Sequence, residues 1–439
     1  MVSAGPARAP RAAALRARLP LIGAVVAAVV VAGGLILRRA LGVTLGAPYP
    51  PSLGNADLGA HPLLVVSVAC FALAVWLAPR LLAVRPATFA AALLGATLVL
   101  RLALAAGRGG TGAWDKVFDE SRSFEAANEY LPGLPAVRIG RHFFLDRFAE
   151  LVPSFPVHVA GHPPGLLLVM DVLGLDTPAR LAAFCIGVGA LSAPLTYAVA
   201  RQLLDERGAR IAGLLMGIAP QALLFGVTSA DAVYCTLGLL AAWPLCVPSR
   251  AARALGALLL AVASLFAWSL LAIGAWAAIV VLLREGWRRA LELCVICGVV
   301  LLAFHGAFAA ATGFDPIGTI RATAEVYRAG VASMRPYWYW LLGSPIGFLI
   351  VLGLPIYWYS LRELARGGHE AVAIYAVLAV SAVMGFTKAE TERIWLFFAP
   401  FVCLAAARAI ARRPALLTPV LAALAAQAVL HELLSDTVW

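Results

Sequence analysis

Between Gly107 and Gly165 the chain carries Asp115, Asp119, Glu120, Glu125, Glu129, Asp146, Glu150, His142, His158 and His162, in a sequence that is otherwise almost wholly apolar. The carboxylates form two sets, DKVFDE with Asp115, Asp119 and Glu120, and NEY with Glu129 between Asn128 and Tyr130. A fixed carboxylate suits one task well, removing the proton of a hydroxyl as that hydroxyl attacks an electrophilic carbon. The competing reading makes these acids a solvated face balanced by Lys116, Arg122 and Arg138. The stretch ends in GHPPG, where His162 precedes Pro163 and Pro164, a rigid start for the apolar segment that follows. A histidine there can donate to a phosphate oxygen or shuttle a proton, or simply cap the segment. Two later polar stretches supply cations: Arg321, Arg328 and Arg335 after the apolar run ending near Ala310, and Lys388 and Arg393 in FTKAETERIW. Cations near a membrane surface stabilise charge developing on a departing phosphate. Snorkelling explains Arg321 and Arg328 without any ligand. An internal ion-pair network with Glu390 and Glu392 competes for Lys388 and Arg393.

Composition fixes the class in which these residues operate. With 62% hydrophobic and 13% charged side chains over 439 residues, the chain holds more apolar surface than a soluble core could bury, so its solvent is largely lipid. The formal charge of +11 comes from short Arg clusters between apolar runs, the pattern of membrane-orientation signals, and nucleic acid is excluded as a partner. The cysteines all lie in apolar segments; Cys294 and Cys297 have CxxC spacing but no polar neighbours, which reads as packing. His142, His158 and His162 lack metal-ligand spacing, so no metal and no cofactor are expected.

The positive-inside rule then sets the topology. Arg8, Arg11, Arg16 and Arg18 precede an apolar run from Leu21 to Leu37, which predicts an uncleaved first helix with a cytoplasmic amino end. Two further helices lead to the acidic stretch, which is thereby extracytoplasmic. The run from Leu255 to Leu283 has Arg at both ends; a hairpin bending near Trp268 to Gly274 keeps both Arg clusters in the cytoplasm. Continuing gives an all-α, polytopic protein of about thirteen transmembrane helices in one domain spanning 1–439. An extracytoplasmic loop at 107–178 carries interfacial helices and the candidate active site. On this reading the acidic loop, the Arg335 loop and the Lys388–Arg393 turn share one face. Tyr337, Trp338, Tyr339 and Trp340 read as an interfacial aromatic belt.

An acidic outer loop after a helix containing Arg101, a His-Pro-Pro motif at 162–164, a short hairpin midway and the late charged turn ETERIWLFF together resemble the GT-C superfamily of polytopic membrane glycosyltransferases, in their actinobacterial form. The resemblance covers most of the residues from about Ala90 to Pro414. It implies a polyprenyl-monophosphate sugar as donor, inverting transfer to an extracytoplasmic glycolipid, polysaccharide or protein, and a bacterial plasma-membrane location. Carried onto this sequence, the family's loop base matches Asp119 with Glu120, or Glu129, and the phosphate-contacting position before Pro-Pro matches His162; Lys388, Arg393 and Arg335 complete the phosphate side. One departure stands out: two more helices precede the acidic loop here than in the family's usual arrangement. A transporter or flippase of lipid-linked substrates is the alternative, and would place its ionisable residues on broken helices near the bilayer midplane. A non-catalytic assembly subunit is a third reading.

Overall fold

The computed structural model describes residues 16–437, so Arg8 and Arg11 lie outside the described residues. Among these the protein is all-α apart from one two-residue antiparallel pair, β1 (Asn55–Ala56) with β2 (Ser435–Asp436), which ties the loop around Asn55 to the segment after the last helix. The principal helices in chain order are α1 (Leu19–Arg39), α2 (Leu64–Leu81), α3 (Pro86–Gly109), α4 (Gly165–Leu173), α5 (Pro178–Ala190), α6 (Ser192–Leu203), α7 (Glu206–Ile218), α8 (Pro220–Thr228) and α9 (Asp231–Leu245). The second half adds α10 (Arg250–Ser264), α11 (Leu271–Glu285), α12 (Trp287–Thr312), α13 (Pro316–Ala329), α14 (Tyr337–Leu352), α15 (Leu354–Ala365), α16 (His369–Met384), α17 (Ala399–Ala411) and α18 (Leu417–Leu434).

Eight helical segments among the described residues are long and apolar enough to cross a membrane, or up to ten if each bent pair is one span. The expected thirteen are not reached by that measure because several segments are short: α9 and α10 have 15 residues each, about 22 Å of helix against a hydrocarbon core of about 30 Å. Such short pieces need protein around them, and α9 is buried along most of its length. By contrast the window in α12 is only 6% buried, with Val295, Val299 and Leu302 exposed, as a lipid-facing helix requires. α14 and α15 meet at 114° where Gly353 has φ +139, so this segment turns sharply at the glycine.

The run from Leu255 to Leu283 is a hairpin. It breaks between α10 and α11, and Arg253 Nη2 reaches Glu285 Oε1 at 2.6 Å, joining its two ends. Arg253 belongs to a basic end of the bundle that also holds Arg284 and Arg408 on Glu370 (3.0 and 2.8 Å), Arg412 on Glu363, and Arg210 on the carbonyls of Leu81 and Val84. The hairpin tip points the other way and supports GHPPG: Gly165 N donates to Leu265 O at 2.7 Å, and a Cβ on Gly165 would stand 2.5 Å from that oxygen.

The long loop is ordered, but in shorter pieces than extended amphipathic helices. Pro132, Gly133, Pro135, Gly140, Pro153, Pro156 and Gly161 punctuate the loop after Tyr130, and its turns and helices are three to six residues long. Phe118, Phe144 and Phe148 are buried beneath it, while Phe124, Ile139 and Phe143 face outward.

Candidate functional site

Glu125 and Glu129 belong to the turn Phe124–Asn128 and its end. Ser123 starts this turn by accepting from Glu125 N at 3.2 Å, and Asn128 Nδ2 steadies Glu125 Oε2 at 3.3 Å. His158 lies on the four-residue helix Val157–Ala160, set between Pro156 and Gly161. The chain then crosses to Asp231, the first residue of α9. The helical run breaks before it at Ser229, whose hydroxyl donates to Asp231 Oδ2 at 2.6 Å and accepts from Asp231 N at 3.0 Å. Arg393 comes from the short helix Thr391–Ile394 that leads into α17. Just ahead of it Ala389 and Glu390 hold φ of +63 and +56, a left-handed pair that non-glycine residues adopt only when surrounding contacts enforce it.

These residues form one buried network. His158 Nε2 is 2.9 Å from Glu125 Oε1 and 3.8 Å from Glu129 Oε1, and its Nδ1 faces Arg393 Nη2 at 3.5 Å. Arg393 donates to Asp231 Oδ2 at 2.7 Å and to Glu390 Oε2 at 3.1 Å. Glu390 takes Arg335 on its other oxygen at 2.6 Å, and Arg335 donates to Lys388 O at 2.8 Å. Lys388 Nζ is held by the carbonyls of Ala332 and Arg335, both at 2.8 Å, and among the described residues by no carboxylate. Four carboxylates thus meet two guanidiniums, and the histidine and Glu129 absorb the imbalance. Burial pushes the Glu129 carboxyl above its ordinary range, with His158 and Arg393 pulling back only in part. Burial would lower His158, but Glu129, together with the Glu125 hydrogen bond, outweighs it and raises the imidazole. For Glu390 burial is overcome by Arg393 and Arg335, which hold it at about 2. Glu129 is 1% exposed, and among the described residues its Oε1 has no hydrogen-bond partner and faces His158 Nε2 at 3.8 Å, which leaves that oxygen able to accept a proton.

Three of the residues picked from the sequence for the phosphate side, Arg335, Lys388 and Arg393, come together with Glu129. Asp119 and Glu120 lie elsewhere. Asp119 sits at the loop rim, bonded to Ser121 Oγ at 2.7 Å and to Arg122 Nε at 2.6 Å, and those contacts, Ser121 first, lower it to about 2. Arg122 also bridges to Asp115 at 2.7 Å, so this set is the charge-balanced face of the competing reading. Glu120 is exposed. His162 is half-buried beside Tyr234, 5.1 Å between ring centres, above a 2.6 Å hydroxyl contact between Tyr130 and Tyr234. Burial lowers it to about 4, which leaves it neutral at physiological pH.

The sequence names His158 without giving it a role and offers Glu390 as an ion-pair partner of Lys388 and Arg393, a pairing that Arg393 makes at 3.1 Å; Asp231 it does not bring to the site. The signal for Asp231 is its place two residues after the helix-breaking Ser229 in an otherwise apolar stretch, since a carboxylate buried there needs a cation and Arg393 supplies it. Among the described residues, Glu125, Glu129 and His158 have ligand atoms within 4.8 Å of one another, close enough to bind one cation. Their outer partners fit less well. A metal-bound imidazole turns its other N–H toward an acceptor, whereas Nδ1 of His158 faces a guanidinium.

No family model matches the sequence, and no curated protein matches it. Two solved structures of an Archaeoglobus fulgidus oligosaccharyltransferase are similar to this chain. One, in complex with zinc and sulfate, shares 15% identity over 77% of this chain and 53% of that chain, with a TM-score of 0.44. The other, tethered by a disulfide to an acceptor peptide containing the NVT sequon, shares 14% over 78% and 55%, with a TM-score of 0.42. The chain thus spans about half the length of the structures it matches.

Proposed function

We propose that this chain is a membrane glycosyltransferase that moves a sugar from a polyprenyl-monophosphate donor to an extracytoplasmic hydroxyl, with inversion. The observation that carries the reading is the free, buried Oε1 of Glu129, set 3.8 Å from His158 in a network closed by Arg393. A carboxylate whose proton affinity burial has raised is a better base at neutral pH than an ordinary one, and it stands on the loop that covers the spans. Glu129 takes the acceptor proton as the acceptor oxygen attacks the anomeric carbon and the bond to the donor phosphate breaks. Lys388, whose charge no carboxylate neutralises, and neutral His162 as a hydrogen-bond donor face the departing phosphate; Arg335 and Arg393 hold the surrounding charge. Asp119 ranks below Glu129 because a rim carboxylate already clamped by Arg122 is a weak base, and Glu120 ranks below it because it is exposed to solvent.

The test is transfer of a labelled sugar from polyprenyl phosphate by the full chain in proteoliposomes. Glu129→Gln is expected to lose about 10²- to 10⁴-fold in rate, while Asp119→Asn and Glu120→Gln retain activity. Full activity in Glu129→Gln overturns the assignment. The reading uses no cation, so chelation with EDTA leaves transfer intact; abolition would make Glu129 a ligand rather than the base. A flippase is the second reading, favoured by buried Arg101 within α3 and by the helix break before Asp231. It predicts lipid movement across vesicles without sugar transfer.

A further inference from the structure

Glu392 stands one residue before Arg393, is 3% exposed, and among the described residues pairs with no lysine or arginine. Its carboxylate instead crosses to the other end of the chain. Oε1 accepts from Leu53 N at 2.7 Å and lies 3.5 Å from Ser52 Oγ. Neighbouring residues of a helical turn point about 100° apart, so the turn Thr391–Ile394 sends Glu392 toward segment 45–54 and Arg393 toward Asp231.

Segment 45–54 is seated to receive that contact. Leu45 is fully buried and Ala47 nearly so. Trp340 of α14, buried as well, donates from Nε1 to Leu45 O at 2.9 Å. A Cβ on Gly347 would stand 3.0 Å from Pro51 O, so α14 carries the segment closely on a glycine. Ser52 N closes a turn on Tyr49 O at 2.8 Å, and the β1–β2 pairing begins directly afterwards at Asn55. Trp340 thus ties one end, the strand pair ties the other, and Glu392 holds the middle.

The turn that bears Glu392 needs such holding. Ala389 and Glu390 are both left-handed, a conformation kept only where surrounding contacts outweigh its cost. Lys388 N donates to Tyr327 Oη at 2.7 Å, Thr391 Oγ1 to Ser344 O at 2.7 Å, and Gln221 Nε2 to Glu392 O at 2.9 Å. Each of these fixes the main chain from α13, α14 or α8. The Leu53 contact adds a charge-assisted bond from the side chain next to Arg393. We infer that segment 45–54 is a strap latched by Glu392, and that Glu392 is thereby a positioning residue for Arg393. The latch stands on the geometry alone, and the catalytic consequence rests on the glycosyltransferase reading.

The experiment is hydrogen–deuterium exchange of the full chain in detergent, read on peptides covering 45–56, with Glu392→Met, Glu392→Gln and Trp340→Phe. Glu392→Met removes the acceptor of Leu53 N and is expected to speed exchange there about tenfold while α12 is unchanged, as local opening requires. Glu392→Gln keeps an acceptor oxygen and stays within about threefold of wild type. Unchanged exchange in Glu392→Met, an equal rise in α12, or a glutamine variant as fast as the methionine one each overturn the latch. In the transfer assay, Glu392→Met lowers kcat about tenfold with KM unchanged, and Glu392→Gln restores it. A raised KM with kcat unchanged overturns the positioning role. Trp340→Phe frees the strap at its other tie, so it too lowers kcat, but adds nothing in the Glu392→Met background; a loss that persists there means that Trp340 acts through α14 and overturns the strap. If Glu392→Met does not fold, Trp340→Phe decides alone: faster exchange at 45–56 together with a lowered kcat supports the inference, and any other result overturns it. If the wild-type chain transfers no sugar, the proposed function fails and the exchange result still decides whether Glu392 latches the strap.

Discussion

The pair formed by Asp231 and Arg393 offers a test of the network by stability alone. Both side chains are 5% exposed, their contact is 2.7 Å, and Arg393 also holds Glu390 and faces His158. Asp231→Asn removes one charge, but the carboxamide oxygen still accepts from Arg393, and Arg393 keeps Glu390; the loss is that of one charged hydrogen bond, about 1.5–3 kcal/mol. Arg393→Met is worse, because it leaves Asp231 buried and ionised with, among the described residues, only Ser229 as donor, and breaking a buried pair in this way costs about 3–5 kcal/mol. The double variant has no orphaned charge at this position. It is therefore more stable than Arg393→Met alone, by about 1 kcal/mol or more, although it carries an additional substitution. The assay is unfolding by SDS titration in mixed micelles, with apparent Tm in dodecyl maltoside as a second measure. Additive losses in the double variant would show that the two side chains do not depend on each other, and an undiminished Arg393→Met would show that the buried network is not a charge-coupled unit.

Three further outcomes follow from other parts of the site. Gly165→Ala places a methyl group 2.5 Å from Leu265 O, which must push the hairpin tip away; a loss of about 1–3 kcal/mol in the same titration is expected, and no loss would mean that the tip is not seated on GHPPG. Tyr130→Phe and Tyr234→Phe each break the buried 2.6 Å hydroxyl contact and cost about 1 kcal/mol, while the double variant costs little more than either single one; full additivity refutes the pairing. Relative to His162→Gln, the apparent Tm of the wild type should fall as pH drops below about 6.5. His162, lowered by burial from 6.5 to about 4, binds fewer protons folded than unfolded in that window, so stability is lost as pH falls through it. Glu390, held at about 2 against an ordinary 4.5 by Arg393 and Arg335 in spite of burial, adds stability that is present above 4.5 and lost from there down to about 2. His162→Gln should flatten the upper part of the curve alone, and an unchanged curve would contradict the shift assigned to His162.

Much of the architecture follows from local rules acting on composition. Apolar runs bounded by Arg clusters fix the membrane class, and the placement of Arg at both ends of Leu255–Leu283 forces a hairpin because one sign of charge must stay on one side. The helix start at Gly165 follows from Pro163 and Pro164, since proline sets the backbone of a first turn. Where the helices bend or fall short was less legible: the 114° turn at Gly353 and the short α9 and α10 depend on neighbours that shelter unsatisfied backbone.

The site divides in the same way. That Glu129, Arg335, Lys388 and Arg393 belong to one face is a consequence of topology, which the order of charged turns determines. Which acid of the loop turns inward is decided only by packing. Asp119 and Glu129 are both loop carboxylates in sequence, yet one is closed off by Ser121 and Arg122 at the rim while the other is buried facing His158, because pairing energies depend on distances between residues far apart in the chain. Asp231 and Arg393, 162 positions apart, are bound to each other by the cost of leaving either charge alone in a dry interior, a cost that exists only once the helices around them have assembled.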